Sequence, residues 1–169
     1  MTTPNPTKLF LLLILLLFNY RAIGQTTVGQ QYGFSIDIPV QWQSYHLKEG
    51  DEILYLFMSF DGQVNMEIRL FPLEANAHIF DLVSTFEKDE LPTGFECAIL
   101  KDYANANNVN GKMGIYYGYI NGKAESISVF YYINKNKGYI LSTTVPVDRQ
   151  QEKENVILSI LDSFKFLNP

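Results

Sequence analysis

The sequence predicts an α+β domain, and three observations carry that expectation. Residues 112–147 hold three consecutive strand-like segments, KMGIYYGYI, KAESISVFYYI and YILSTTVPV, joined by Asn121-Gly122 and by a turn over 134–138. An Asn-Gly pair between alternating apolar runs is a strong hairpin signal, because both residues tolerate positive φ. Upstream, Ile53–Phe60 and Val64–Phe71 flank Asp61-Gly62 and read as a second hairpin. Two amphipathic helices complete the set. Ile79, Leu82, Val83 and Phe86 recur at three- and four-residue spacing in a helix that starts near Ala75 and ends at Pro92-Thr93-Gly94. Val156, Ile157, Ile160, Leu161 and Phe164 do the same near the C-terminus, with Asp148 as the expected N-cap.

Composition narrows the class. With 169 residues, 47% hydrophobic and 18% charged, the chain is long and apolar enough for one domain with a sizeable core. A net charge of -5 without any Lys/Arg cluster argues against a nucleic-acid partner. The single cysteine, Cys97, has no intramolecular disulfide partner. Within Phe95-Glu96-Cys97-Ala98-Ile99-Leu100 it reads as a small buried hydrophobe.

Residues 1–24 read as a cleaved signal peptide. Lys8 supplies the positive segment, Leu9 to Phe18 the apolar one, and Ala22-Ile23-Gly24 the small residues before a cleavage site. Ten apolar residues fall short of the roughly 20 that span a bilayer. The expected localisation is therefore secreted or periplasmic, with no permanent membrane span after cleavage. Residues 25–31 read as a short linker, and 32–169 as a single domain.

Tyr32 to Pro39 alternates Phe34, Ile36 and Ile38 with Ser35 and Asp37, the signature of a half-buried strand. Trp42 follows as a core plug, then a polar, turn-rich stretch over 43–51. Phe95–Leu100 reads as a short strand and 102–111 as an asparagine-rich turn-forming loop.

The Asn121-Gly122 turn fixes a register by pairing Ile120 with Lys123. One face then carries Gly114, Tyr116, Gly118 and Ile120 beside Ile127, Val129 and Tyr131. The other carries Met113, Ile115, Tyr117 and Tyr119 beside Ser126, Ser128, Phe130 and Tyr132. Matching apolar faces adds Tyr139, Leu141, Thr143 and Val145 to the first, glycine-notched face, which is expected to seat the last helix. The second face is open to two expectations: the 75–91 helix covers it as ordinary core, or it is a contact surface.

Two segments resemble the PsbP/Mog1-like superfamily. One is Tyr32-Gly33-Phe34-Ser35-Ile36-Asp37-Ile38-Pro39 with Trp42, similar to the family's opening strand, proline and tryptophan. The other runs from Gly138-Tyr139-Ile140-Leu141 through the helix with Ile157 and Ile160 to Ser163-Phe164-Lys165-Phe166, similar to its closing strand, last helix and ending. The resemblance implies an α/β/α-type sandwich with a central, mainly antiparallel sheet flanked by helices over 32–169. It also implies a non-catalytic role, since members support photosystem II, bind the small GTPase Ran, or act as envelope proteins and effector chaperones.

No complete catalytic constellation stands in the sequence. His46 and His78, the only histidines, lack metal-ligand spacing, and no GxSxG nucleophile turn or phosphate-binding glycine loop occurs. Glu67, Glu96 and Glu125 fall on positions expected to face solvent. No catalytic residue, metal or cofactor is therefore expected. The candidate binding residues are Tyr117, Tyr119, Phe130, Tyr132, Ser126 and Ser128, since aromatic rings interleaved with hydroxyls suit a protein, peptide, glycan or apolar-ligand contact. The leading expectation is an exported, non-enzymatic binding or accessory domain that engages an envelope or extracellular protein. The alternatives are a small apolar-ligand carrier with a cavity between this face and the 75–91 helix, and an unrecognised hydrolase.

Overall fold

The computed structural model describes residues 25–167; the expected signal peptide lies outside the described residues. The strands are β1 (Gln25–Val28), β2 (Phe34–Pro39), β3 (Gln43–Glu49), β4 (Glu52–Met58), β5 (Asn65–Pro72), β6 (Glu96–Ala104), β7 (Asn110–Ile120), β8 (Lys123–Asn134), β9 (Lys137–Pro146) and β10 (Lys165–Phe166). Helix α1 is Ile79–Thr85 and α2 is Gln150–Ser163. Seven strands form one sheet in the order β3-β4-β5-β9-β8-β7-β6, antiparallel at every pairing. A small second sheet, β1-β2-β10, ties the two ends of the described chain together. Helices on both faces of the large sheet complete the expected α+β sandwich.

Both hairpins form where the sequence places them. Asn121 (φ 52°) and Gly122 (φ 78°) make the two-residue turn, and Ile120 pairs with Lys123. The third strand departs from expectation. A tight turn through Lys135 (φ 57°) pairs Asn134 with Lys137, which puts Tyr132 opposite Tyr139 and Phe130 opposite Leu141. Tyr139, Leu141, Thr143 and Val145 therefore join the Phe130–Tyr132 face, while Ile140, Ser142 and Thr144 join the glycine-notched one.

The helices follow the register. Leu82, Val83 and Phe86 of the α1 segment pack on Tyr116, Ile127, Val129, Tyr131 and Ile140, the glycine-notched face. Helix α2 packs with Ile157, Ile160 and Leu161 on the opposite face, in one core with Phe34, Ile36, Phe130, Tyr132, Tyr139 and Leu141. Both helices thus sit on the face opposite to the one expected. The glycine notches are filled by rings instead: a Cβ on Gly118 would lie 2.4 Å from the Phe95 ring.

Other boundaries shift for local reasons. Helix α1 begins at Ile79, where the His78 backbone N–H donates to the Asp81 carboxylate at 2.6 Å. It widens over Phe86–Glu90 into a π-turn closed by Leu91 N–H to the Phe86 carbonyl at 2.8 Å. Arg149, not Asp148, stands at the N-cap of α2, after a short 3-10 turn over Val147–Arg149. Residues 25–31, expected as linker, begin with β1 paired to β2. The polar 43–51 stretch is the edge strand β3, and the asparagine loop shrinks to five residues as β6 and β7 extend across it. Cys97 is exposed on β6, the other edge strand of the sheet. Among the described residues, no helix is long and apolar enough to cross a membrane.

Candidate functional site

Helix α2 covers only part of its sheet face. Beside it, toward β7 and β6, a groove of ≈ 300 Å³ stays open. Its floor is Met113 and Ile115 of β7 with Ser126, Ser128 and Phe130 of β8; Ile157, Leu158 and Leu161 of α2 form the wall. The Tyr103 ring closes one end edge-on to Phe130, centroids 5.0 Å apart, with its hydroxyl directed at Asp162 at 3.4 Å. Exposed Lys101 and Glu154 stand at the mouth with opposite charges.

Period-2 alternation decides which candidate residues meet here. Ser126, Ser128 and Phe130 share the floor. Tyr117, paired with Ser126, and Tyr119 continue the same face beyond the cover of α2, and they are 40% and 71% exposed. Ile99 and Leu158, 43% and 38% exposed, extend this apolar margin. Tyr132 lies elsewhere: its ring stacks on Phe164 at 5.1 Å and is buried. The Ser126 hydroxyl is buried and has no hydrogen-bond partner in the structure. Met113, Ile115 and the α2 wall were missing from the sequence-derived set. The 3.6 period of α2 marked Ile157 and Leu161 as core, and nothing local revealed that the helix would stop short of β7.

A second polar cluster lies on the other face. Arg69 of β5 bridges Glu67 (2.9 Å), Glu90 (3.0 Å) and Glu52 (3.5 Å). Burial, reinforced by the neighbouring carboxylates Glu67, Glu52 and Asp89, pushes the Glu90 carboxyl up to about 7 despite Arg69. A raised carboxyl beside a second carboxylate is the arrangement an acid–base hydrolase needs. Here the guanidinium fills the space between the two, so the cluster joins β4, β5 and the π-turn. Nearby, the buried Tyr116 and Tyr131 hydroxyls lie 3.0 Å apart, and Tyr116 also donates to Glu87 at 3.0 Å. Burial drives both phenols far above the usual tyrosine range. The histidines stay apart in role: His46 on β3 stacks on Tyr55 at 4.5 Å, and His78 precedes α1.

Comparison with known proteins places the architecture. No protein-family model matches the chain, and no curated protein matches it. Solved structures do. The cyanobacterial PsbP (CyanoP) of Synechocystis superposes with a TM-score of 0.63 at 11% identity, covering 85% of this chain and 93% of its own. LpqN of Mycobacterium tuberculosis, described as involved in cell envelope biogenesis, gives 0.55 at 12% identity, covering 88% and 94%. The Saccharomyces cerevisiae Ran-binding protein Mog1p gives 0.51 at 10% identity, covering 86% and 97%. At such identities the likeness speaks to fold. The chain has the PsbP/Mog1-like fold.

Proposed function

We propose that this chain is an exported, non-enzymatic binding or accessory domain that engages a protein partner in the cell envelope or outside the cell. The carrying observation is the groove beside α2, with its exposed apolar margin of Tyr117, Tyr119, Ile99 and Leu158. Aromatic and aliphatic side chains around a concave, hydroxyl-bearing floor are the composition of an interface centre. Mog1p, a Ran-binding protein, and LpqN, in envelope biogenesis, are the precedents on this fold that favour a binding role over catalysis.

Site-specific photo-crosslinking in the envelope fraction of the source cell tests this reading. A photoreactive residue at Tyr119 is expected to trap one discrete protein, and the same residue at exposed Val40, on the loop after β2, is expected to trap none. Equal labelling from both positions, or no adduct from Tyr119, sinks the proposal.

The carrier reading changes place. The structure seats the helix of the 75–91 region on the opposite face, so no cavity lies between it and the Ser126–Phe130 floor. The unpartnered Ser126 hydroxyl favours a ligand in the α2 groove instead, where an apolar molecule with one polar group would satisfy it. Ile115→Trp, which fills the groove, is then expected to abolish binding of an apolar fluorescent probe.

A further inference from the structure

We infer that strand β3 is a self-association edge, through which two copies of this chain pair into one continuous sheet. All seven β3 residues, Gln43 to Glu49, are exposed, and among the described residues β4 is its only strand neighbour. Its outer row of backbone N–H and C=O groups is therefore unpaired, the feature that invites an added strand. The ladder to β4 runs from Gln43–Met58 to Glu49–Glu52 without a slip in register. The opposite edge is blunted: in β6 the register slips by one residue between Cys97 and Ile99. Such a bulge is a common protection against edge pairing.

The sequence of β3 identifies a second copy as the occupant. Two copies related by a twofold axis normal to the sheet keep odd-numbered residues on one face and even-numbered residues on the other. Antiparallel pairing centred on His46 is the register that engages all seven residues. It sets Tyr45 against Leu47 of the second copy twice, Gln43 against Glu49 twice and Ser44 against Lys48 twice. Sliding by two residues either way shortens the overlap to five residues: one direction sets Tyr45 against Glu49, the other sets Tyr45 against itself and Gln43 against Leu47. Tyr45 and Leu47, 63% and 58% exposed, already pair with Leu56 and Leu54 within one chain. The centred register therefore extends one apolar row, Leu56–Tyr45–Leu47–Leu54, across the junction, and opposes no two charges of like sign among Lys48 and Glu49. This surface is separate from the α2 groove, so the inference stands independently of the partner reading.

Sedimentation of the purified chain over about 1–500 μM, the range in which small interfaces dissociate, tests the pairing. A reversible monomer–dimer equilibrium is expected. Gln43→Glu places two carboxylates opposite Glu49 and is expected to weaken the dimer by roughly 3–30-fold; Gln43→Glu with Glu49→Lys is expected to restore it. In a Cys97→Ser background, His46→Cys is expected to form an oxidised cross-linked dimer, and Ser44→Cys, facing Lys48, is not. A chain that stays monomeric throughout overturns the inference and leaves the edge to a strand from another protein. Equal cross-linking from both cysteine positions also overturns it, as does a dimer indifferent to Gln43→Glu.

Discussion

The side-chain amide of Asn105 donates a 2.7 Å hydrogen bond to the backbone carbonyl of Phe164, just past the end of α2. The same nitrogen donates to the Leu161 carbonyl at 3.1 Å, and the amide oxygen accepts from the backbone N–H groups of Asn107 and Val109, each at 3.0 Å. One buried side chain thus shapes the β6–β7 loop and caps carbonyls that a helix end leaves unpaired. Asn105→Ala is expected to cost about 2–3 kcal/mol, because the Leu161 and Phe164 carbonyls each lose one of two donors and the Asn107 and Val109 N–H groups lose this acceptor. Asn105→Asp should cost more, since a buried carboxylate would face those carbonyls. Urea denaturation reads both. Values within experimental error of the parent chain would show that the loop does not hold the helix.

Gly118 is a socket for a ring. Because an added Cβ would meet Phe95 Cδ2 at 2.4 Å, and Phe95 is buried against the α1 side of the sheet, Gly118→Ala must displace a packed aromatic. Overpacking of this kind costs about 1–3 kcal/mol. The penalty should shrink when Phe95→Leu is introduced first, which a double-mutant cycle measures. Additive penalties would mean that strain arises elsewhere.

Ile160 anchors α2 in the larger core and is 1% exposed. Ile160→Ala is expected to cost about 2–5 kcal/mol through lost burial and a residual cavity. Ile160→Asp adds an unpaired buried charge and should leave the chain unfolded. Thermal melts followed by near-ultraviolet circular dichroism distinguish these outcomes. A cooperative melt of Ile160→Asp at the parent temperature would refute the packing of α2 described above.

The elements were more legible than their sides. Asn121-Gly122 carries its own turn chemistry, so the β7–β8 register is readable residue by residue and is found in the structure. The β8–β9 turn has no such signature. Apolar matching failed there because both faces of this sheet are covered: Tyr116 and Val129 on one side are as buried as Tyr132 and Leu141 on the other. With no polar face to exclude, β9 could be assigned only by its turn, and the seats of both helices followed from it. Cys97 failed similarly, since an apolar neighbourhood in sequence says nothing about lying on a sheet edge. Of the six candidate residues, alternation placed Ser126, Ser128 and Phe130 together. What sent Tyr132 inward was Phe164, 32 residues later, whose ring lies flat against it. Asn105 was hidden for the same reason, because its partners are 56 and 59 residues away.

The Arg69 cluster gives the fold a pH dependence of definite sign. The Glu90 side chain is only 13% exposed, and its carboxyl titrates at about 7, above its ordinary 4.5. The folded state therefore binds a proton more readily than the unfolded state, and stability falls as pH rises from about 4.5 through 7. Above that window the folded chain carries the whole cost of a buried, charged Glu90; at pH 5 most of it is relieved. The difference is on the order of 1–3 kcal/mol. Glu125, also raised by burial, acts in the same direction. Asp61, held well below the usual carboxylate range by its hydrogen bond to Lys153, acts in the opposite direction but below this window. Urea midpoints should accordingly rise between pH 8 and pH 5. In Glu90→Gln, which keeps an acceptor for Arg69 without a proton to exchange, that slope should flatten and stability at pH 8 should increase. Midpoints that fall on acidification to pH 5, or a Glu90→Gln variant with the parent's slope, would place the titration on another group.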